Sequence, residues 1–326
     1  MASNQTFAQP LVFFRLDSLT TLVRSRFTRQ LSAFRLRIPA RQAARFVCAL
    51  PGALPALALL DLSTCNILAS EVEPLVARFP HLQHLVLDGC NVIRGELRDA
   101  DWAELGRGCA LGGTRRARER ERKLKAWLEA NAARAILPDE PAKQCVEEPG
   151  TQLAERKRKG RRGIANATIT FREPSGSGSS STNSVAKITV PKIRILPVYP
   201  TLQSFATTTS MLVTDDMRPT IRSEFARGWS EGIKQVRAIR SRLRTSWNNG
   251  MRIMQIENSD HTAGGVTIEE EGMDGLEDLS RAEAEWAADD QTYECPVFCL
   301  AGPGRGQDHL PGCGHAVGWT VWDDEM

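Results

Sequence analysis

The sequence predicts an α/β fold in which short parallel strands and helices stack as a solenoid, accompanied by long helices and by linkers without a core. Three observations predict it. An eleven-residue frame occurs twice, as "LALLDLSTCNI" at 57–67 and "LQHLVLDGCNV" at 82–92. A helical apolar pattern, "SEVEPLVARFP", lies between the copies. Beyond residue 110 the hydrophobic period gives way to charge runs and Gly/Ser stretches.

The frame sets the first elements. Leu57, Leu60, Leu62, Cys65, Asn66 and Ile67 match Leu82, Leu85, Leu87, Cys90, Asn91 and Val92. The alternation puts Leu60 and Leu62 on one face of a short strand, because strand side chains alternate with period two. Between the strands, Ser70 reads as a helix N-cap with Val72, Leu75, Val76 and Phe79 inward and Pro80 as the stop. One such unit cannot bury its own apolar face, so neighbours must stack. Weaker copies stand at 11–16 (Leu11, Phe14, Leu16) and 31–36 (Leu31, Phe34, Leu36). Tyr199, Pro200, Leu202 and Phe205 repeat Phe79, Pro80, Leu82 and Leu85, so the repeat resumes after an insertion.

Repetition at 20–29 residues with L-x-x-L-x-L-x-x-C/N resembles the leucine-rich repeats. The cysteine at the asparagine position resembles the subtype of F-box substrate receptors, although no F-box pattern stands in residues 1–50. The resemblance implies a short leucine-rich-repeat solenoid over 1–110, non-enzymatic, with a protein partner gripped by the exposed strand positions. Those positions are Gln83, His84, Val86 and Asp88, with Ala58, Leu59, Asp61 and Ser63 beside them.

Residues 111–137 predict a charged helix starting at Thr114, with Leu124, Trp127 and Leu128 as a narrow apolar edge. Residues 138–186 predict a linker holding "RKRKGRR" and a Gly/Ser run at 174–184. In the basic run, Arg156, Lys157, Arg158, Lys159, Arg161 and Arg162 read as a nuclear signal or a phosphate contact. Residues 187–256 predict a continuation with one or two short edge strands within 187–196, where Pro191 breaks the alternation, and a strand at 251–256. Between them stands an amphipathic basic helix over 219–247, with Ile221, Phe225, Trp229, Ile233, Val236, Leu243 and Trp247 on one face. Residues 257–292 are mostly acidic and small, and read as a linker able to cover the basic helix.

Residues 293–326 contain Cys295, Cys299, Cys313 and His315, with His309 nearby. Four soft or borderline ligands around a Gly/Pro-rich loop suit structural zinc. The same glycines suit a β-hairpin of unligated thiols joining "YECPVFCL" to "AVGWTVW", and both readings stand here.

The net charge of +3 conceals an asymmetry: residues 1–250 carry 39 basic and 22 acidic groups, residues 251–326 carry 3 and 17. Such halves attract each other or address different partners. A nuclear nucleic-acid- or chromatin-associated protein using its basic segments is therefore the alternative function. No phosphate-binding loop, nucleophile elbow or paired-carboxylate pattern appears, so no catalytic residue and no organic cofactor is expected. The apolar runs are too short to predict a membrane span, and scattered cysteines predict reduced thiols in the nucleus or cytoplasm. Eight Arg and one acid, Asp17, in residues 1–50 also suit a mitochondrial transit peptide, the secondary alternative.

Overall fold

Five three- or four-residue strands form one sheet in which every pairing is parallel. They are β1 (Ala33–Arg35), β2 (Leu59–Asp61), β3 (His84–Leu87), β5 (Ser204–Thr207) and β8 (Val297–Cys299), in that spatial order. The computed structural model describes residues 26–44, 47, 54–90, 92, 99–134, 192–208, 213–256, 272–279, 286, 289, 291–305 and 308–322. The weak repeat copy at 11–16, the basic run 156–162 and the Gly/Ser run lie outside them. The chain divides into two units, Met1–Leu128 with Pro191–Met326, and Glu129–Val190. Of the second, residues 129–134 are described, as the last turns of a helix. Everything below concerns the first.

Register explains the sheet. Phe34, Leu60, Leu85, Phe205 and Phe298 are partners in sequence across all five strands. All five are buried in one core. The expected return of the frame at Phe205 is thus observed, opposite Leu85. Loop chemistry repeats as well. Cys65 donates to the Leu36 carbonyl at 3.3 Å and Cys90 to the Leu62 carbonyl at 3.2 Å. Each thiol thereby ties its turn to the preceding strand–turn unit. Just before each cysteine, Thr64 (φ 65°) and Gly89 (φ 63°) take the left-handed conformation that the turn requires.

Helices cover the face that carries this ladder. Helix α1 (Ala69–Arg78) lies between β2 and β3 and buries Val72, Leu75 and Ala77. Ser70 is not its cap: the helix starts one residue earlier, and the Glu71 carboxylate accepts the Leu68 N–H at 2.9 Å. Helix α2 (Asp99–Arg134) begins fifteen residues before the expected Thr114, which is buried inside it. Glycines of α2 allow close approaches: Gly106 faces α3 (Arg218–Asn248), Gly112 faces Val76 of α1 and Gly113 faces the Val198 carbonyl. A Cβ at Gly228 on α3 would overlap the Ala103 carbonyl, and one at Gly106 would overlap that of Phe225. Trp102, Leu105, Cys109, Phe225, Trp229 and Ile233 join the core from these two helices.

The basic helix α3 packs and does not stand free. Arg240, 3% exposed, pairs with Asp289 and donates to the Pro197 carbonyl at 2.7 Å. Arg222 donates to the Phe298 carbonyl. A second sheet flanks its end, with β4 (Ile193–Ile195) parallel to β6 (Arg252–Ile256) and β7 (Leu276–Asp278) antiparallel to β6. The expectation of a coreless linker over 257–292 is corrected for its described residues: β7 belongs to this sheet, and Leu279 and Trp286 pack against Leu243.

The expected C-terminal hairpin is also corrected. Val297–Cys299 is the fifth parallel strand, and Gly314–Trp322 is a helix, α4. It lies on the other face of the large sheet, where Leu59, Val86, Ala206 and Cys299 are buried with Ala316, Val317 and Trp322 packed against them. Gly314 makes this approach possible, since a Cβ there would stand 2.9 Å from Val86 Cγ2.

Candidate metal centre

Strand alternation aims the first ligand. Phe298 points into the helix-side core, so Cys299 points to the α4 side. The chain then loops back through Gly302 and Gly312, both at positive φ, and delivers Cys313 immediately before α4 and His315 inside its first turn. His309 comes from the loop. The ligand atoms of Cys299, His309, Cys313 and His315 all lie within 4.8 Å of one another. His309 Nδ1 is 3.6 Å from Cys299 Sγ and 3.7 Å from Cys313 Sγ. This set can hold a metal ion.

Both imidazoles are oriented from behind. His309 Nε2 lies 2.8 Å from the Gly304 carbonyl, which can only accept, so Nε2 carries the proton and the Nδ1 lone pair faces the thiols. His315 Nε2 lies 2.6 Å from Asp88 Oδ2, and its Nδ1 is buried without a hydrogen-bond partner. A carboxylate or carbonyl behind the histidine is the usual second layer of a metal site, fixing tautomer and ring orientation. Asp88 is itself held. Thr208 donates to its Oδ1 at 2.8 Å, and its own N–H reaches Ser63 Oγ at 3.3 Å. Ser63 bonds Asp61, which receives Arg35 and Arg37. Arg35 in turn stacks on Trp322 of α4 at 3.9 Å.

The electrostatics suit a cation. A hydrogen bond from the Cys313 thiol brings Cys299 down to about 3 against the cost of burial, and raises Cys313. Burial alone would lower His315, but its hydrogen bond to Asp88 and the negative charge of the nearby Cys299 lift it to about 9. Asp88, His315 and Cys299 also have the composition of a nucleophilic triad. Both cysteines, however, have no exposed surface, and a nucleophile that no substrate atom can touch does no acyl transfer.

Of the four ligands expected from sequence, the structure gathers Cys299, Cys313 and His315 and leaves out Cys295. The Cys295 thiol touches its own neighbour's carbonyl at Pro296. It lies near Cys109 of α2, whose thiol burial, then Cys295, pushes up to about 12. His309 takes the fourth place. The partner-binding residues also need correction. Gln83 and His84 are half-buried, with His84 Nδ1 2.8 Å from Ser204 Oγ. Val86 and Asp88 are 3% and 4% exposed. They point to the face that the frame leaves open, but α4 covers it. The sequence carried one sign of this: α4 is apolar nearly all round, as a covered segment would be.

Comparison of the chain with protein-family models, with curated proteins and with solved structures finds no match. No helix among the described residues is long and apolar enough to cross a membrane.

Proposed function

We propose that the chain is a non-enzymatic interaction scaffold of the leucine-rich-repeat kind, with a structural zinc ion closing its C-terminal segment onto the sheet. The repeat reading is supported by strands added in chain order, by α1, α2 and α3 on one face, and by cysteine turns shared by the β2 and β3 units. Two thiols and two imidazoles form the donor set that zinc takes in closed four-coordinate sites. The observation that carries the metal reading is His315, whose Nε2 is fixed by Asp88 while its buried Nδ1 is left with no hydrogen-bond partner. A set of four protein ligands, three of them buried, is structural, since catalysis by zinc needs an open position.

Metal analysis of the purified chain tests this. About one zinc per chain is expected, and cobalt substitution should give thiolate-to-metal charge-transfer bands with tetrahedral d–d bands. Less than about half an equivalent would overturn the reading, because a site that orders its loop must be filled. The protein partner, in a substrate-receptor role by resemblance, meets the strand face at the half-buried Gln83 and His84. A photo-crosslinking residue at Gln83 should capture one protein species in cell extract. Capture of none, or of the same species by a site on α3, refutes that surface.

A further inference from the structure

We infer, resting on the zinc reading above, that the metal is a latch on α4 whose removal frees this helix and uncovers the strand face beneath it. Cys313 and His315 flank Gly314, the first residue of α4, and two of the four ligand positions are thus its own entry. The helix has nine residues, well below the roughly 12–15 at which an isolated helix becomes marginally stable. Its apolar hold on the sheet is the smaller of the two cores there, six buried residues including Leu59, Val86 and Ala206 with Ala316, Val317 and Trp322 of α4 against them, beside the thirty of the helix-side core. Val321 is 50% exposed, so this part of the helix adds nothing to that hold.

Without the metal the same place becomes unfavourable to keep closed. Cys299, Cys313 and His315 would remain buried, with His315 Nδ1 unpaired, and such groups gain by hydration. Both effects act in one direction. The helix-side core has no part in this: α1, α2 and α3 contribute no ligand, and the Phe34–Phe298 ladder lies on the far face of the sheet. Opening is therefore local. It uncovers Leu59, His84, Val86, Asp88, Ser204 and Ala206, a continuous strip over β2, β3 and β5.

The test uses the full chain, purified with zinc, stripped by a chelator and then reloaded, with amide hydrogen exchange as the readout. Stripping should speed exchange across 314–322 by at least about tenfold and leave 221–236 of α3 unchanged, as for a local opening. Reloading should reverse it, and fluorescence of an apolar dye should rise and fall in step. A chain that contains no zinc at the start sinks the zinc reading itself. Zinc present, but 314–322 indifferent to its removal, leaves that reading standing and overturns the latch. Faster exchange in 221–236 as well overturns it too, because the metal would then hold the whole fold. Asp88→Asn keeps the strand and all four ligands, and should need about 10–100-fold more free zinc to close 314–322. Equal zinc requirement for the variant and the natural chain also overturns the latch as described.

Discussion

Leu85 and Val86 are consecutive on β3 and face opposite ways, Leu85 between Leu60 and Phe205 in the helix-side core and Val86 under Gly314. Leu85→Ala removes atoms from a core that the metal does not touch. It should cost about 2–5 kcal/mol with or without zinc. Val86→Ala removes two methyl-sized groups, at about 0.8 kcal/mol each, so about 1.6 kcal/mol while α4 is seated. In stripped protein Val86 lies on the surface, and the same change should fall within about 0.5 kcal/mol. Urea unfolding of the natural chain and both variants, each with zinc and with chelator, reads the difference as a coupling between residue 86 and the metal. In melting temperature 1 kcal/mol is about 2–4 °C for a body of this size. A Val86→Ala cost that is the same in both forms would refute the reasoning, and so would a Leu85→Ala cost that vanishes on stripping.

Three further outcomes are expected. Gly228→Ala forces a Cβ into the Ala103 carbonyl, so it should destabilise by at least the roughly 1–3 kcal/mol of an overpacked core; a natural melting curve would show that α2 and α3 do not cross so closely. Cys295→Ser should retain full zinc by elemental analysis, whereas His309→Ala should lose most of it; the reverse pattern would restore the spacing expected from sequence. While α4 is seated without metal, His315 lies at about 9, above its ordinary 6.5, so its proton favours seating in full below 6.5 and ceases to as pH rises through 9. Zinc on Nδ1 leaves no place for that proton, so the protection of 314–322 relative to 221–236 should decline through that range in stripped protein and not in loaded protein. Parallel decline in both forms would remove Nδ1 from the ligand set.

The large sheet was legible wherever a strand kept its frame. Leu60 and Leu85 announce β2 and β3 because two buried faces impose the same spacing twice, and Phe205 is found by aligning its lead-in. The strand β8 was hidden: Cys295 stands where the frame has leucine and Pro296 follows, so Phe298 and Leu300 alone carry the pattern. The α4 segment "GHAVGWTVW" alternates like a strand, and its helical state comes from packing on the sheet and from the ligand turn, not from local preference. In α2 the apolar edge is too narrow to announce the turns before Thr114, which are buried by crossing α3. At the metal centre, cysteine spacing is local and pointed to three of the four ligands. The hydrogen bond from His315 to Asp88 spans 227 residues, and no local pattern encodes it.

That same separation puts the site on a clock. Translation at about 5–20 residues per second needs roughly 11–45 s to pass from Asp88 to His315. During that interval β1, β2 and β3 can pair, while the face that α4 will cover stays open on the ribosome. Until Cys299 and Cys313 are made, near the end of that interval, no ion can be captured with the native ligands. Metal loading therefore reports that the last strand has joined the sheet, and a nascent chain stalled before residue 299 would display the strip on β2 and β3 to any chaperone that binds apolar surface.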